Sequence, residues 1–505
     1  MNRKHGLLLL TAACIFASCK KDHDDDFYVP EDPATFAEIG TIDIGDVGAA
    51  EISAYDPQTK RLFVVNNGQE GKDNKIDIID FADPTKPKDI GDISTAPYGG
   101  YVNSVSVSNG LLAAAIESIN KQEPGKVVVF NTANNAEVKS ITVGALPDML
   151  TFSPDGKYIL SANEGEPSAD YTNDPAGTVS IISVKDNYAV TTLDFSAFAG
   201  QQAALQAQGL RVFGLNATFA KDMEPEYITI AADSKTAWVT LQENNAIAKI
   251  DIASKAITAI YPLGFKNYNE EANAIDASDK DNTIAFKKWK VKGMYQPDAI
   301  AVYNTGGIPY LFTVNEGDVR EYTAFNEAKR VGSLTLDPTA FPDATTLKLQ
   351  ENLGRLNVTT TLGDTDKDGD YDELYSFGAR SFSVWNGNSG TLVFDSKNDL
   401  DARTKTANLY DDGRSDDKGA EPEGIALGEV GKKKLAFVGL ERADAVAIYD
   451  VTNPAAPQFL QLLSTGDAPE GVLFISAKDS PIQQSLVVVS SENDGVIKVY
   501  KPKKI

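Results

Sequence analysis

Apolar and polar residues alternate through most of this chain in short runs, and the runs recur. The clearest copy spans Glu421 to Asp450. Pro422-Glu423-Gly424-Ile425 opens one run, Lys434-Leu435-Ala436-Phe437-Val438-Gly439-Leu440 leads to Glu441, and Val446-Ala447-Ile448-Tyr449-Asp450 makes a third. Runs of this length between turn residues read as β-strands. The outline returns along the sequence. An acid opens it at Glu51, Asp148, Glu226, Asp298, Glu423 and Glu470, the last five after proline, and Asn103 stands in the remaining unit. Roughly 14 to 22 residues later, the length of two strands and a hairpin, a glutamate closes an alternating run. These closing residues are Glu70, Glu117, Glu164, Glu243, Glu316, Glu441 and Glu492.

Units of three or four short strands with a period of about 45 residues describe propeller blades. The expected fold is all-β, a seven-bladed β-propeller. The last unit offers Gly471 to Ser476, Ser485 to Ser490 and Val496 to Tyr500 but no outermost strand. Phe36 to Ile44 resembles the outer run Phe459 to Leu463, so the N-terminal strand is expected to close the ring and leave no open edge. An eight-blade count, with Glu373 to Asp395 as its own blade, is the alternative. A helix is expected over Ala197 to Gln208, capped by Ser196 and stopped by Gly209. One insertion runs from Lys266 to Tyr295 and carries Lys287-Lys288-Trp289-Lys290-Val291-Lys292, read as a solvated strand. A second, residues 319–380, interrupts blade five, and insertions that long are functional or disordered.

The first 18 residues pair Arg3 and Lys4 with the apolar run Gly6 to Phe16, a secretory signal too short for a permanent span. It ends Phe16-Ala17-Ser18-Cys19, the pattern of a bacterial lipobox whose cysteine is lipidated, with an ordinary signal peptide as the alternative. Residues 19–34 then form a charged tether, including Lys20-Lys21-Asp22-His23-Asp24-Asp25-Asp26, and residues 35–505 a single propeller domain. The acidic run fits either a surface-export signal or a solvated spacer.

Composition narrows the chemistry. Apolar residues make up 42%, enough for a large core, and the net charge is −25, or −27 once Arg3 and Lys4 are removed. Nucleic acid is therefore not an expected partner, since phosphate binding needs a basic surface. The only cysteines are Cys14 and Cys19 and the only histidines His5 and His23. The expected folded body thus lacks His general bases, thiol nucleophiles and the usual zinc, copper and haem ligands. Carboxylates, Lys, Arg, Tyr, Ser or a hard metal ion must do any chemistry.

Two constellations stand out. Asp364-Thr365-Asp366-Lys367-Asp368-Gly369-Asp370-Tyr371-Asp372-Glu373 places acids at positions 1, 3 and 5, glycine at 6 and oxygens at 7 and 9 of a calcium loop. Tyr375 takes position 12, where an EF-hand has its bidentate glutamate, so a looser extracellular Ca2+ loop is expected. Its ligands would be Asp364, Asp366, Asp368, Asp370 and Asp372, helped by Glu373 or another group, with affinity of about 10⁻⁴ to 10⁻³ M. A solvated acidic loop is the alternative. The second constellation follows from the repeat, which should carry Glu51, Asp148, Glu226, Asp298, Glu423 and Glu470, with Asn103, to one channel mouth and stand the closing glutamates just outside. Such a ring focuses negative potential on metal ions or a basic ligand. A feature present in every unit can equally be structural, each closing glutamate accepting backbone N–H groups from the next unit.

Leu146-Pro147-Asp148-Met149, Asn163-Glu164-Gly165-Glu166-Pro167, Lys292-Gly293-Met294-Tyr295-Gln296-Pro297-Asp298-Ala299-Ile300, Asn315-Glu316-Gly317-Asp318 and Gly363-Asp364-Thr365-Asp366 through Tyr375-Ser376-Phe377-Gly378 follow one another in order. In these blocks the chain resembles the choice-of-anchor I family of secreted bacterial propeller proteins, with related domains in an animal cell-surface glycoprotein. The resemblance implies an exported, surface-anchored domain whose anchor here would be a lipid. It implies no settled activity.

The expectation is an outer-membrane lipoprotein, exposed at the surface and held by lipidated Cys19. It would be a calcium-stabilised propeller binding a ligand or protein partner, basic or cationic in character. The alternative is a metal-dependent hydrolase of a phosphoester, lactone or glycan using the channel carboxylates; fold alone separates neither.

Overall fold

The computed structural model describes residues 28–68 and 74–505. Cys14, Cys19, His5, His23 and Glu70 lie outside the described residues. The described chain is all-β in its main body, and seven four-stranded antiparallel sheets follow one another. The first runs from Ser53–Asp56 to Lys88–Ser94, the second from Val102–Ser108 to Glu137–Ala145, the third from Pro147–Phe152 to Ala189–Leu193 and the fourth from Pro225–Ile230 to Ala256–Pro262. The fifth joins Ile300–Thr305, Ile308–Asn315, Ser381–Asn386 and Leu392–Asp395, and the sixth spans Pro422–Val430 to Gln458–Ser464. Because Ser381–Asn386 pairs with Ile308–Asn315, the stretch Glu373 to Asp395 is not a sheet of its own.

Pro469–Ile475, Leu486–Ser491 and Val496–Lys504 form the seventh sheet, and its fourth strand is Glu31–Asp43. That strand pairs antiparallel with Val496–Lys504, setting Ile42 opposite Ile497. It starts five residues before Phe36, inside the stretch expected to be a tether. The apolar pattern begins at Phe36, but the Glu31 carboxylate accepts both the backbone N–H of Ser485 at 3.0 Å and its hydroxyl at 2.7 Å.

The first strand of each sheet packs on the first strand of the next, and that of the seventh packs on that of the first. Middle strands read as unbroken apolar runs, such as Leu486-Val487-Val488-Val489, because both faces are covered. Seven apolar cores fill the spaces between successive sheets. One joins Leu160 and Ile181 of the third sheet to Val239 and Ala248 of the fourth, and another joins Val488 and Ile497 of the seventh to Leu62 and Val64 of the first. Outer strands such as Lys88–Ser94 are mostly exposed.

The two insertions share a core of their own, in which Tyr268, Ile275 and Val291 of the first meet Val331, Phe341 and Leu356 of the second. Lys292–Met294 bridges Phe265–Asn267 and Tyr375–Ser376 in a small sheet. The basic cluster is not one solvated strand. Lys290 lies 4.4 Å from the Phe341 ring centroid, Lys292 pairs with Glu373 at 2.8 Å, and Lys287 with Asp281 at 3.3 Å. The helix expected from Ala197 is 3₁₀ over Ser196–Gln201 and α only over Gln202–Gln206. Gly200 weakens its first half, and the Ser196 hydroxyl bonds Asp194 instead of capping. Gly209, at φ 108°, follows its end as expected.

Candidate functional site

The opening residues share a local device. Asn103, Asp148, Glu226, Glu423 and Glu470 each sit where the register of the first hairpin of their sheet shifts. A bulge of this kind bends the strand and re-aims a side chain. Before four of the prolines, the backbone is in the left-handed region, with φ of 48° at Leu146, 42° at Gln296, 49° at Glu421 and 55° at Ala468. Non-glycine residues rarely hold that conformation, and its clustering here marks a constrained entry to those four sheets.

All seven opening residues line one cavity of about 780 Å³. Glu51, Asn103, Asp148, Glu226, Asp298, Glu423 and Glu470 come from seven sheets and meet there, as the repeat predicts. Burial dominates their acidity. Glu51 is pushed up to about 8 by burial, against the hydrogen bond from Asn67, with Glu492 and Asp148 adding repulsion. Asp148 rises to about 7 through burial and the nearby Glu166, with Lys121 opposing. Glu226, Asp298, Glu423 and Glu470 are driven well above the ordinary carboxylate range by burial and then by one another and the closing glutamates. Buried Oε2 atoms of Glu226 and Glu423 have no hydrogen-bond partner. Asn103, the uncharged member, donates to the Pro147 carbonyl at 3.1 Å and ties the second sheet to the third.

The closing set divides. Glu117, Glu164 and Glu492 line the cavity, whereas Glu243, Glu316 and Glu441 stand outside its lining. Strand register moves two members. The position after the second strand is Asn67 in the first sheet, and it is Gln242, one residue before Glu243, in the fourth. The expected backbone bonds to neighbouring units are not the rule among the described residues. Glu117 accepts from Tyr101 N–H at 3.4 Å within its own unit, Glu316 takes Lys418 and the Gln242 amide, and Glu441 pairs with Arg442 at 2.9 Å. Asparagines do the stitching. Asn67 donates to Glu51 and to the Val102 carbonyl at 2.9 Å and accepts the Val102 N–H at 2.9 Å; Asn245 accepts the Gln296 N–H at 3.0 Å.

The Asp364–Glu373 loop belongs to the insertion body, not to the cavity lining. Oxygens of Asp364, Asp366 and Asp372 lie within 4.8 Å of one another, and so do those of Asp337, Asp370 and Asp372. Asp368 joins neither group. Gly369 N–H donates to Asp364 at 3.2 Å, and Thr365 donates to Asp372 through N–H at 2.9 Å and hydroxyl at 2.6 Å. Glu373 is engaged by Lys292 and Tyr375, which removes it from the ligand set expected for the loop. Asp337 was not legible in the motif; a bridge between Leu336 and Tyr371 brings it there. The buried Oδ1 of Asp364 has no partner, and burial with neighbouring acids raises Asp366 and Asp370. Converging carboxylates without nitrogen or sulfur donors fit a hard cation.

A family model described as the choice-of-anchor I domain matches residues 51–454. The chain belongs to the choice-of-anchor I family. Gigasin-3a of Magallana gigas is 28% identical over 182 residues, 29% of this chain and 64% of that protein. The mesenchyme-specific cell surface glycoprotein of Strongylocentrotus purpuratus is 27% identical over 308 residues, 52% of this chain and 39% of that one. The choice-of-anchor I chain therefore spans less than two thirds of either relative. Among solved structures, Kuenenia stuttgartiensis hydrazine synthase aligns with a TM-score of 0.48 at 13% identity, over 92% of this chain and 98% of that one. The β-propeller domain of Myceliophteria thermophila Cps50 (Swd1) aligns with a TM-score of 0.46 at 9% identity, over 93% and 100%.

Within this choice-of-anchor I chain the cavity gathers mutually repelling carboxylates with few counter-charges. Lys121 is the basic residue of its lining, 3.8 Å from Glu117. Among the described residues no helix is long and apolar enough to cross a membrane.

Proposed function

We propose that this choice-of-anchor I chain is a seven-bladed β-propeller, closed by its N-terminal strand, that acts as a surface-associated binding module and takes a cationic ligand into its acid-lined cavity. The observation that carries the reading is the convergence of six opening acids on one space of about 780 Å³, with Glu226 and Glu423 oxygens unpartnered. Holding those acids together costs free energy that an incoming positive charge returns. The size of the space suits an amine- or guanidinium-bearing group rather than a bare ion. Seven sheets with seven intervening cores support the closed seven-blade count.

Lipidation at Cys19 would hold the body to the outer membrane, and the likeness to the Strongylocentrotus purpuratus cell surface glycoprotein supports a surface location. Ca2+ at Asp364, Asp366, Asp370 and Asp372, with Asp337, would order the insertion.

Isothermal titration of the full chain with spermidine at low salt tests the binding reading. Saturable binding that weakens with salt is expected, and it should fall at least tenfold, about 1.4 kcal/mol, in a Glu226→Gln, Asp298→Asn variant. No saturable heat from spermidine or from an arginine-rich peptide would sink it.

A further inference from the structure

Two boxes of three carboxylates occupy matching places in the repeat. Glu164, Glu224 and Glu243 bring one oxygen each within 4.8 Å of the others, and Glu316, Glu421 and Glu441 do the same. Glu164 and Glu316 each follow the asparagine that ends a second strand and precede a left-handed glycine, Gly165 at φ 75° and Gly317 at φ 91°. Glu224 and Glu421 each precede the opening proline of the next sheet. Glu441 follows the second strand of its sheet directly, and Glu243 stands one residue further along. One box therefore joins the third and fourth sheets, the other the fifth and sixth.

The second box is filled from within. The Lys418 ammonium pairs with Glu316, lies 3.4 Å from Glu421 and donates to the Gly317 carbonyl at 2.8 Å. Arg414 reaches Glu421 at 2.6 Å and Arg442 reaches Glu441 at 2.9 Å. Three cations answer three carboxylates.

In the first box the balance is different. Arg320 pairs with Glu224 at 2.7 Å but is shared with Asp222. The carboxylates of Glu164 and Glu243 receive no hydrogen bond or ion pair from any other described residue, although Glu243 is only 5% exposed. Lys221 has the sequence offset of Lys418, three residues before the box glutamate. It is turned outward, 45% exposed and 3.9 Å from Asp174.

We propose that Glu164, Glu224 and Glu243 form a divalent-cation site, filled by a hard ion of the Ca2+ or Mg2+ class in the place the Lys418 ammonium takes in the second box. The donors are all oxygen, which selects that class over softer metals. Two unanswered carboxylates match a charge of two. Gly165 follows Glu164 as Gly317, whose carbonyl Lys418 uses, follows Glu316. The ion would join the third sheet to the fourth, as Lys418 joins the fifth to the sixth. This site is separate from the Asp364 loop and shares only Glu164 with the cavity lining.

Terbium luminescence on the EDTA-treated full chain tests it, in an Asp366→Ala, Asp372→Ala background that breaks both convergent groups of the loop. Tyr322 is placed to sensitise the ion, since it stands close enough to Glu166, Glu224, Glu243 and Glu164 to feel their charges. One saturable Tb3+ site, displaced by Ca2+, is expected. Glu164→Gln with Glu243→Gln should abolish the emission, while Glu316→Gln with Glu441→Gln should leave it. Emission absent from the background protein, or unchanged by the first pair, overturns the proposal. Should the first pair fail to fold, a Tb3+-soaked crystal of the unmutated chain decides: an anomalous peak among the three carboxylates supports the site, and none there overturns it.

Discussion

The Ser485 hydroxyl donates to the Glu31 carboxylate at 2.7 Å, joining residues 454 positions apart in the chain. Glu31 and Ser485 are both buried, and the Ser485 N–H completes the contact. Glu31→Ala would strand two buried donors, at about 1–3 kcal/mol each at most. A loss of about 2–3 kcal/mol in urea unfolding is expected. Glu38→Ala, which breaks only an exposed pair with Lys498 at 3.5 Å, should cost less than about 1 kcal/mol.

Calcium should raise the melting temperature through the Asp364 loop. With affinity of about 10⁻⁴ to 10⁻³ M, about 10 mM Ca2+ would stabilise by about 1.4 to 2.7 kcal/mol. Asp366→Ala with Asp372→Ala should remove most of that increment, because these side chains join the convergent groups. Asp337→Ala should reduce it too, and Asp368→Ala should matter least. Calorimetry with and without Ca2+ ranks the four. Equal effects at Asp368 and Asp372 would contradict the geometry.

What could be read in advance follows from where the periodicity lies. The opening acids were legible because four sheets repeat the proline, the bulge and the acid together, so alignment alone gathers Asp148, Glu226, Glu423 and Glu470. The groups that decide charge balance were not. Arg320, Lys418 and Asp337 come from segments between strands, where no repeat constrains the sequence. Asn67 is not legible from the glutamate pattern, which points to Glu70, though the register puts Asn67 directly after its strand. The early start at Glu31 was invisible to hydrophobic patterning, since a polar contact with Ser485 fixes it.

Glu51 gives a pH dependence with a definite sign. Its folded proton affinity is raised from 4.5 to about 8, so between those values the folded chain holds a proton the unfolded chain has released. The stability it contributes is full below about pH 4.5 and is lost as pH rises through about 8. Glu51→Gln, which keeps an acceptor for Asn67, should gain stability over the unmutated chain as pH climbs through that window. Each tenfold change in proton affinity corresponds to about 1.4 kcal/mol. Melting curves of both proteins in EDTA check it, and parallel profiles would refute it.

Neutralising the cavity should separate a binding role from an architectural one. Glu226 is raised by burial and then by Asp298, and Asp298 by burial and then by Glu316 and Asp148. If the acids exist to hold the sheets together, Glu226→Gln and Asp298→Asn should destabilise. The unpartnered Glu226 Oε2 argues the reverse, because a buried carboxylate among like charges is a cost to the fold. Each substitution should therefore raise stability near pH 8 by about 1 kcal/mol or more, while spermidine affinity falls. The two gains should be less than additive, since removing either acid relieves the other. A binding site paid for in stability predicts this opposed pair of changes, and an architectural ring predicts loss of both.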